Sequence, residues 1–178
     1  MTIECFPVKM TEDEAVRIAR GGKNPIFRAL FGRKEVHLRL MYLESRYIIY
    51  KMTYKDNILV KLFRKKEKED KQNIRVMVEA TTCTAAYVED DICTERKDVD
   101  ELDIQSGYYD DQRLVTCGAT MARRMVRRHS GRNLTIQPVE ERKVYRPFYI
   151  AIYGEMIEGR KARYLPIAAD GNIVCRNF

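Results

Sequence analysis

The chain has 178 residues, of which 33 are lysine or arginine and 26 are aspartate or glutamate, and its formal net charge is +7 at pH 7. This length is enough for one full domain with a sizeable core. The apolar runs are only a few residues long, which excludes a bilayer-spanning helix because such a helix needs about 20 apolar residues. The positive charge favours solubility and attracts anionic partners without requiring them.

The cysteines and the N-terminal segment indicate a cytoplasmic protein. No charged leader followed by a long apolar block stands at the N-terminus, so no secretory signal is predicted. The cysteines number 5, are widely spaced and form no C-x-x-C pair, which argues against a disulfide framework and against a zinc ribbon. We therefore predict reduced thiols, most of which fill the core.

The first predicted element is a helix that starts after Thr11. Thr11 is a capping residue, the carboxylates of residues 12–14 suit the positive end of the helix dipole, and Gly21 with Gly22 ends the helix. A second short helical segment is predicted after Pro25 and ends at Gly32.

Two-residue alternation follows and predicts strands at residues 36–42 and 46–54. Asp56 and Asn57 predict a hairpin turn into a further strand, and the polar run 65–73 predicts a loop or an exposed hairpin tip. A strand at 74–80 is predicted to turn at residues 81–84 and to return as a short partner strand.

The charge then changes sign along the chain. Residues 89–111 carry ten acidic and two basic side chains, whereas residues 112–163 carry twelve basic and four acidic ones. The acidic stretch has no clean period and is predicted to be a linker. Either the two segments partly neutralise each other, or each is a solvated face.

A long helix is predicted from Leu114 to His129. Apolar side chains recur at helical spacing from Leu114 to Met125, and Gly131 can end the helix. Strand character resumes at residues 134–154 and 162–169, and a turn at Asp170 and Gly171 leads into a last short strand at 172–175.

The segment KVYRPFYIAIYG, residues 143–154, has two different sides as a strand. Phe148, Ile150 and Ile152 form a wholly apolar side, which is predicted to be core. The other side carries Tyr149 and Tyr153 and is predicted to leave their hydroxyls available, unless a loop or a second copy covers it. Pro147 is predicted to mark a strand start or an edge.

We predict an α+β fold with a mainly antiparallel sheet and helices on one face. The order of elements suggests two related helix-plus-three-strand halves, 10–88 and 110–178, joined by the acidic linker 89–109 in one compact domain. Tyr42 aligns with Tyr145 and Tyr50 with Tyr153 at one offset, although chance resemblance between aromatic strands is the alternative.

Catalytic and metal-binding signals are weak. His37 and His129 have no visible partner, and the nucleophile-elbow, phosphate-loop, dinucleotide and zinc-protease motifs are missing. Cys83 lies among threonines at a predicted turn, and a reactive cysteine would need a nearby base or cation. We therefore predict no catalytic residue, no metal site and no cofactor.

The strongest electrostatic feature is the segment RRMVRRHSGR at residues 123–132, in which five of ten residues are arginine. Four interpretations of this segment remain open: it docks onto the acidic linker of the same chain, it is simply exposed to solvent, it binds a protein partner, or it binds nucleic acid. The residues predicted to bind are Arg123, Arg124, Arg127 and Arg128 on the helix and Tyr47, Tyr149 and Tyr153 on the sheet.

We expect a non-catalytic cytoplasmic protein that acts through protein–protein contacts, by self-association or with another protein. The first alternative is a nucleic-acid-binding module that uses the basic helix and the tyrosine-bearing sheet. The second alternative is an enzyme or small-ligand binder with a pocket between helix and sheet.

Overall fold

The computed structural model describes residues 1–21, 35–54, 73–89, 91–127, 134–154 and 163–171. Within these residues the chain is an α+β protein, as predicted. The helices are α1 (Glu12–Ala19) and α2 (Asp111–Arg127), and the strands are β1 (Thr2–Cys5), β2 (Val36–Tyr54), β3 (Asn73–Glu79), β4 (Thr84–Val88), β5 (Glu95–Asp98), β6 (Ile104–Gln105), β7 (Leu134–Tyr153) and β8 (Arg163–Ala168).

The sheet is mostly antiparallel, as predicted, but it is mixed. β5 pairs antiparallel with β1, β3 pairs antiparallel with both β2 and β4, and β8 pairs antiparallel with β7. β1 runs parallel to β7, and β6 runs parallel to β2.

Helix α1 begins where its capping residues predict. The Oγ1 atom of Thr11 accepts a hydrogen bond from the Glu14 N–H at 3.3 Å, and the Glu14 carboxylate accepts one from the Thr11 N–H at 3.2 Å. This capping box satisfies donors that the first helical turn leaves unpaired. Ala15 and Ala19 are buried, and their small side chains let the helix pack closely on the strands.

The chain divides into two compact units, and each unit takes one part of both long strands. Unit 1 comprises residues 1–44, 92–106 and 144–173, and unit 2 comprises residues 45–91, 107–143 and 174–178. The division falls within β2 and within β7. The sequence-based halves, 10–88 and 110–178, therefore differ from the compact units and stay a prediction.

The core of unit 1 has two clusters. In the first, Ala15 and Ala19 of α1 pack on Tyr149 and on Ile167 of β8. The second joins β1 to β7 and includes Ile3, Cys5, Tyr42, Val99 and Tyr145.

The core of unit 2 lies between α2 and the strands β2 and β3. Leu114, Ala122 and Val126 supply the helical part of this core, and α2 also packs against β4. The hydroxyl of Tyr50 donates to the Val115 carbonyl at 2.6 Å. Burial raises the pKa of Tyr50 well above its usual range, because an ionised phenol would lose its hydration there.

The acidic segment 89–109, predicted to be a linker, forms regular structure instead. β5 and β6 lie within it, together with a 3₁₀ turn at Glu101–Asp103. All four β5 side chains are exposed, so the strand has no apolar alternation by which it could be found. Its pairing with the unpredicted four-residue strand β1 supplies the backbone hydrogen bonds that hold it.

Pro147 is neither a strand start nor exposed, because β7 runs from Leu134 to Tyr153 and Pro147 is buried within it. The residue is tolerated where the partner strand changes. Tyr145 pairs with Cys5 of β1, and the pairing with β8 begins at Phe148. The carbonyl of Pro147 accepts a hydrogen bond from the Ala169 N–H at 2.9 Å, a bond that requires no donor from proline.

Five predicted features lie outside the described residues, wholly or nearly so. They are the short helical segment after Pro25, the hairpin turn at Asp56 and Asn57, the strand that follows this turn, the polar run 65–73 apart from its last residue, and the last strand at 172–175.

Candidate binding surface

The ladder formed by β7 and β8 has two sides of different composition. Its register pairs Tyr149 with Ile167 and Ile150 with Pro166, so neighbouring pairs point to opposite sides. The helix-covered face carries Tyr149, Ala151, Tyr153, Arg163, Leu165 and Ile167. The apolar ladder face carries Phe148, Ile150, Ile152, Tyr164, Pro166 and Ala168.

α1 and the segment before it cover the helix-covered face around Tyr149 and Tyr153, whereas Leu165 on the same face is 38% exposed. Tyr149 is only 6% exposed, and its hydroxyl lies 3.4 Å from the Met10 carbonyl. The Tyr153 hydroxyl donates to the carbonyl of Ala19, the last residue of α1, at 2.7 Å. Burial raises the pKa of both phenols, which therefore stay neutral at physiological pH.

The predicted orientation of this strand is therefore reversed. Tyr149 was expected to face outward and is buried, whereas Phe148, Ile150 and Ile152 were expected to be core and are only half-buried. A tyrosine ring contributes as much apolar area as an aliphatic side chain. The backbone carbonyl of Ala19 satisfies the Tyr153 hydroxyl, so covering this side leaves that polar group paired.

The apolar ladder face is partly open to solvent. Tyr164 is 67% exposed and Pro166 is exposed, beside the half-buried Ile150 and Ile152. At one end the Arg146 guanidinium lies 5.4 Å from the centre of the Phe148 ring. Each of the six side chains of the apolar ladder face is apolar or aromatic. Among these six side chains the Tyr164 hydroxyl is the one polar group.

A buried ion pair lies next to Phe148, at one end of the apolar ladder face. Arg146 donates to both carboxylate oxygens of Asp170, at 2.8 and 3.1 Å. The side chains are only 7% and 1% exposed, so the pair is removed from water. Its bidentate geometry satisfies the carboxylate and ties the turn after β8 to β7.

The outer edge of β8 is poorly suited to adding another strand. The Ala169 N–H donates to the Pro147 carbonyl, so these two residues form a hydrogen-bonded pair. Hydrogen-bonded and non-hydrogen-bonded pairs alternate along an antiparallel ladder. Ile150 and Pro166, three pairs further along, therefore form a pair without mutual hydrogen bonds. The nitrogen of Pro166 therefore points away from β7 and has no hydrogen to donate. At this position the edge offers side chains and no backbone donor.

Tyr47, the remaining predicted tyrosine, is completely buried in unit 2. The Arg142 guanidinium lies 5.0 Å from the centre of its ring. Burial raises the pKa of Tyr47, and nearby Arg75 opposes that shift. Arg75 itself pairs with Asp91 at 2.8 Å.

The arginine face of α2 is exposed where it is described. Arg123 and Arg124 both have exposed side chains, whereas Ala122 and Val126 of the same helix lie in the core. The side chain of Arg127 and all of Arg128 lie outside the described residues.

Acidic side chains near the predicted linker pair with arginines other than Arg123 and Arg124. Asp91 pairs with Arg75, Asp103 with Arg39 at 2.9 Å, and Asp111 with Arg46 at 2.5 Å. These three arginines project from β2 and β3. Docking of the arginine helix onto the acidic segment, one of the alternatives left open for this helix, is not seen among these pairs.

The described residues contain no group of three or more histidine, cysteine or carboxylate side chains arranged to hold a metal ion. His37 is exposed beside Glu35, at 3.8 Å. No helix in the described part of the chain is long and apolar enough to cross a membrane.

The apolar ladder face was missed because its residues were assigned to the core. Pro166 was the available signal, since proline within a strand favours an edge position. No protein family, curated protein or solved structure matches this chain.

Proposed function

We propose that this is a non-catalytic binding protein that acts through protein–protein contact, and that the apolar ladder face is its contact surface. The observation that carries the proposal is the exposure of Tyr164, 67%, on a side of the ladder that is otherwise apolar. Contiguous exposed apolar patches mark interaction sites more often than isolated apolar side chains do. Tyrosine is enriched among the residues that dominate binding energy.

The occupant that we propose is a second copy of the chain. An apolar face with a single hydroxyl needs an apolar counterpart, and the same face of another copy supplies one in a two-fold symmetric contact. Two sheet faces pack about 10 Å apart when their side chains interdigitate. Because each chain carries a formal charge of +7, added salt reduces the repulsion between copies and strengthens this contact.

Sedimentation equilibrium over a range of concentrations tests the proposal. We expect self-association that becomes tighter when ionic strength rises from about 0.05 to about 0.5 M. Tyr164→Lys places a charge on the face and should weaken association at least tenfold. Tyr108→Lys is the matched control, because Tyr108 is 75% exposed and lies on unit 2. A chain that stays monomeric at every concentration, or a Tyr108→Lys effect as large as that of Tyr164→Lys, contradicts the proposal.

A second candidate function is nucleic-acid binding, which the exposed side chains of Arg123 and Arg124 favour. Arginine contacts to phosphate weaken with added salt, which is the opposite of the salt effect expected for the apolar contact. Mobility-shift titrations at several salt concentrations therefore separate the two functions. Loss of binding in the double variant Arg123→Ala/Arg124→Ala, with binding retained in Tyr164→Lys, would support the nucleic-acid candidate.

The duplication belongs to the same proposal, as a description of how the two halves 10–88 and 110–178 arose. Tyr50 donates to the Val115 carbonyl of α2, and Tyr153 donates to the Ala19 carbonyl of α1. These two tyrosines are aligned at the offset that the sequence suggests. In the sheet, Tyr50 pairs with Ile74 of β3 and Tyr153 pairs with Arg163 of β8.

Two further aspects remain proposals. Helices on one face of the sheet are supported by the packing of each helix within its own unit. A reducing, cytoplasmic setting is supported by the free thiols of Cys5, Cys83, Cys93 and Cys117.

A further inference from the structure

Two thiols of unit 2 meet between the β3–β4 turn and helix α2. The Cys117 thiol on α2 donates to the backbone carbonyl of Cys83 at 3.0 Å. A carbonyl oxygen lies about 2.4 Å from its own Cα, so the Cα of Cys83 is at most about 5.4 Å from the Cys117 sulfur. The Cα atoms of a disulfide are usually about 4.4 to 6.8 Å apart, a range that this contact permits.

The backbone holds Cys83 in an unusual conformation at this contact. Its φ angle is 55°, which lies in the left-handed region that residues with a Cβ rarely adopt. Its N–H donates to the Glu79 carbonyl at 2.9 Å, which fixes the turn. Both cysteines are half-buried and pack against the core of unit 2, so the turn and the helix hold the two residues next to each other.

We propose that Cys83 and Cys117 form a reversible intramolecular disulfide when a hydroperoxide oxidises the protein. This modification site is independent of the apolar ladder face and does not rest on the proposed function. It is compatible with reduced thiols as the resting state, because the two sulfurs are unbonded until an oxidant acts.

The reaction needs only the two thiols and the hydroperoxide. The Cys83 sulfur attacks the peroxide oxygen, the O–O bond breaks, and the products are a sulfenic acid and an alcohol, or water when the oxidant is hydrogen peroxide. The Cys117 sulfur then attacks the sulfenic sulfur, and the hydroxyl group leaves with the Cys117 proton as water. The two thiols lose two hydrogens in total, and the peroxide is reduced.

The electrostatics assign the second step to Cys117. Burial, and next its hydrogen bond with Cys83, raise the pKa of Cys117 to about 11. The group is therefore a thiol at neutral pH and a weak nucleophile toward peroxide. Held against Cys83, it acts at short range on a sulfur that has already been oxidised.

Peptide mapping by mass spectrometry under non-reducing conditions tests the modification on the full chain. We expect hydrogen peroxide to produce one linked peptide pair, joining Cys83 to Cys117 and lighter by two hydrogens, which dithiothreitol reverses. The crosslink should raise the melting temperature by about 10 °C, since it closes a loop of roughly 35 residues in the unfolded chain.

Cys93→Ser is the matched control, because Cys93 is exposed and should be dispensable. The linked pair should persist in Cys93→Ser and disappear in Cys117→Ser and in Cys117→Ala. Two substitutions of Cys117 are used so that one still gives a result if the other does not fold. A crosslink from Cys83 or Cys117 to another cysteine overturns the proposal. So does further oxidation of Cys83 to the sulfinic acid without any linked peptide.

Discussion

Helix α2 passes so close to β2 that Gly118 leaves room for no side chain. A Cβ at this position would lie 2.4 Å from the Tyr50 hydroxyl oxygen and 3.1 Å from two ring carbons. Tyr50 is completely buried, so its ring has no open space in which to turn. Gly118→Ala must therefore move the tyrosine or displace the helix.

The cost of Gly118→Ala follows from two unfavourable effects and one favourable effect. Overpacking a core typically costs about 1 to 3 kcal/mol, and a hydroxyl that loses its buried partner costs about 1 to 3 kcal/mol. The better helix propensity of alanine returns about 1 kcal/mol. We expect a net loss of about 1 to 5 kcal/mol in the free energy of unfolding, or roughly 2 to 20 °C in melting temperature.

Urea unfolding of the single and double variants measures this effect. In Tyr50→Phe the clashing oxygen is missing, so Gly118→Ala should cost less in that background than in the natural chain. Thr120→Ala, at an exposed position of the same helix, is the control and should change stability by less than about 0.5 kcal/mol. If Gly118→Ala is neutral or stabilising, the close contact between α2 and Tyr50 is wrong.

Three further predictions concern other buried groups. Asp170→Ala leaves the buried Arg146 guanidinium without its carboxylate and should lower the free energy of unfolding by about 3 to 5 kcal/mol; a loss below about 1 kcal/mol in urea unfolding would contradict a dry ion pair. Tyr153→Phe removes the hydrogen bond to α1 and should lower the free energy of unfolding by about 1 kcal/mol. Limited proteolysis should then cut within residues 8–19 earlier than in the natural chain. Unchanged resistance of this segment to the protease would contradict the prediction. Because the pKa of Cys117 is raised to about 11, its thiolate fraction and its rate of alkylation by iodoacetamide should rise about tenfold per pH unit from pH 7 to 10, and a rate that levels off near pH 9 would refute the raised pKa.

Local chemistry was sufficient to predict several elements. The capping residues at Thr11 and the helical spacing from Leu114 located both helices, because a helix end and an amphipathic stripe are properties of neighbouring residues. The threonine-rich turn before β4 was also predicted. These features depend on short-range hydrogen bonds and side-chain spacing.

Other elements were not predictable in this way. β5 has four exposed side chains, and a strand without a buried face leaves no periodic signal. Its position depends on the backbone of β1, about ninety residues earlier in the chain. Cys83 and Cys117 were noted separately, but only folding brings the β3–β4 turn against α2.

For the proposed binding surface, the alternation in residues 148–153 determined which side chains share a side of β7. It did not determine which side is covered, because Tyr149 and Ile150 both bring a large apolar group that the core can accept. The tertiary structure decided that question through α1, whose small Ala15 and Ala19 side chains pack on Tyr149 and whose Ala19 carbonyl accepts the Tyr153 hydroxyl. The aliphatic side was left partly exposed because a strand period is a local property, whereas burial depends on which distant segment packs against it.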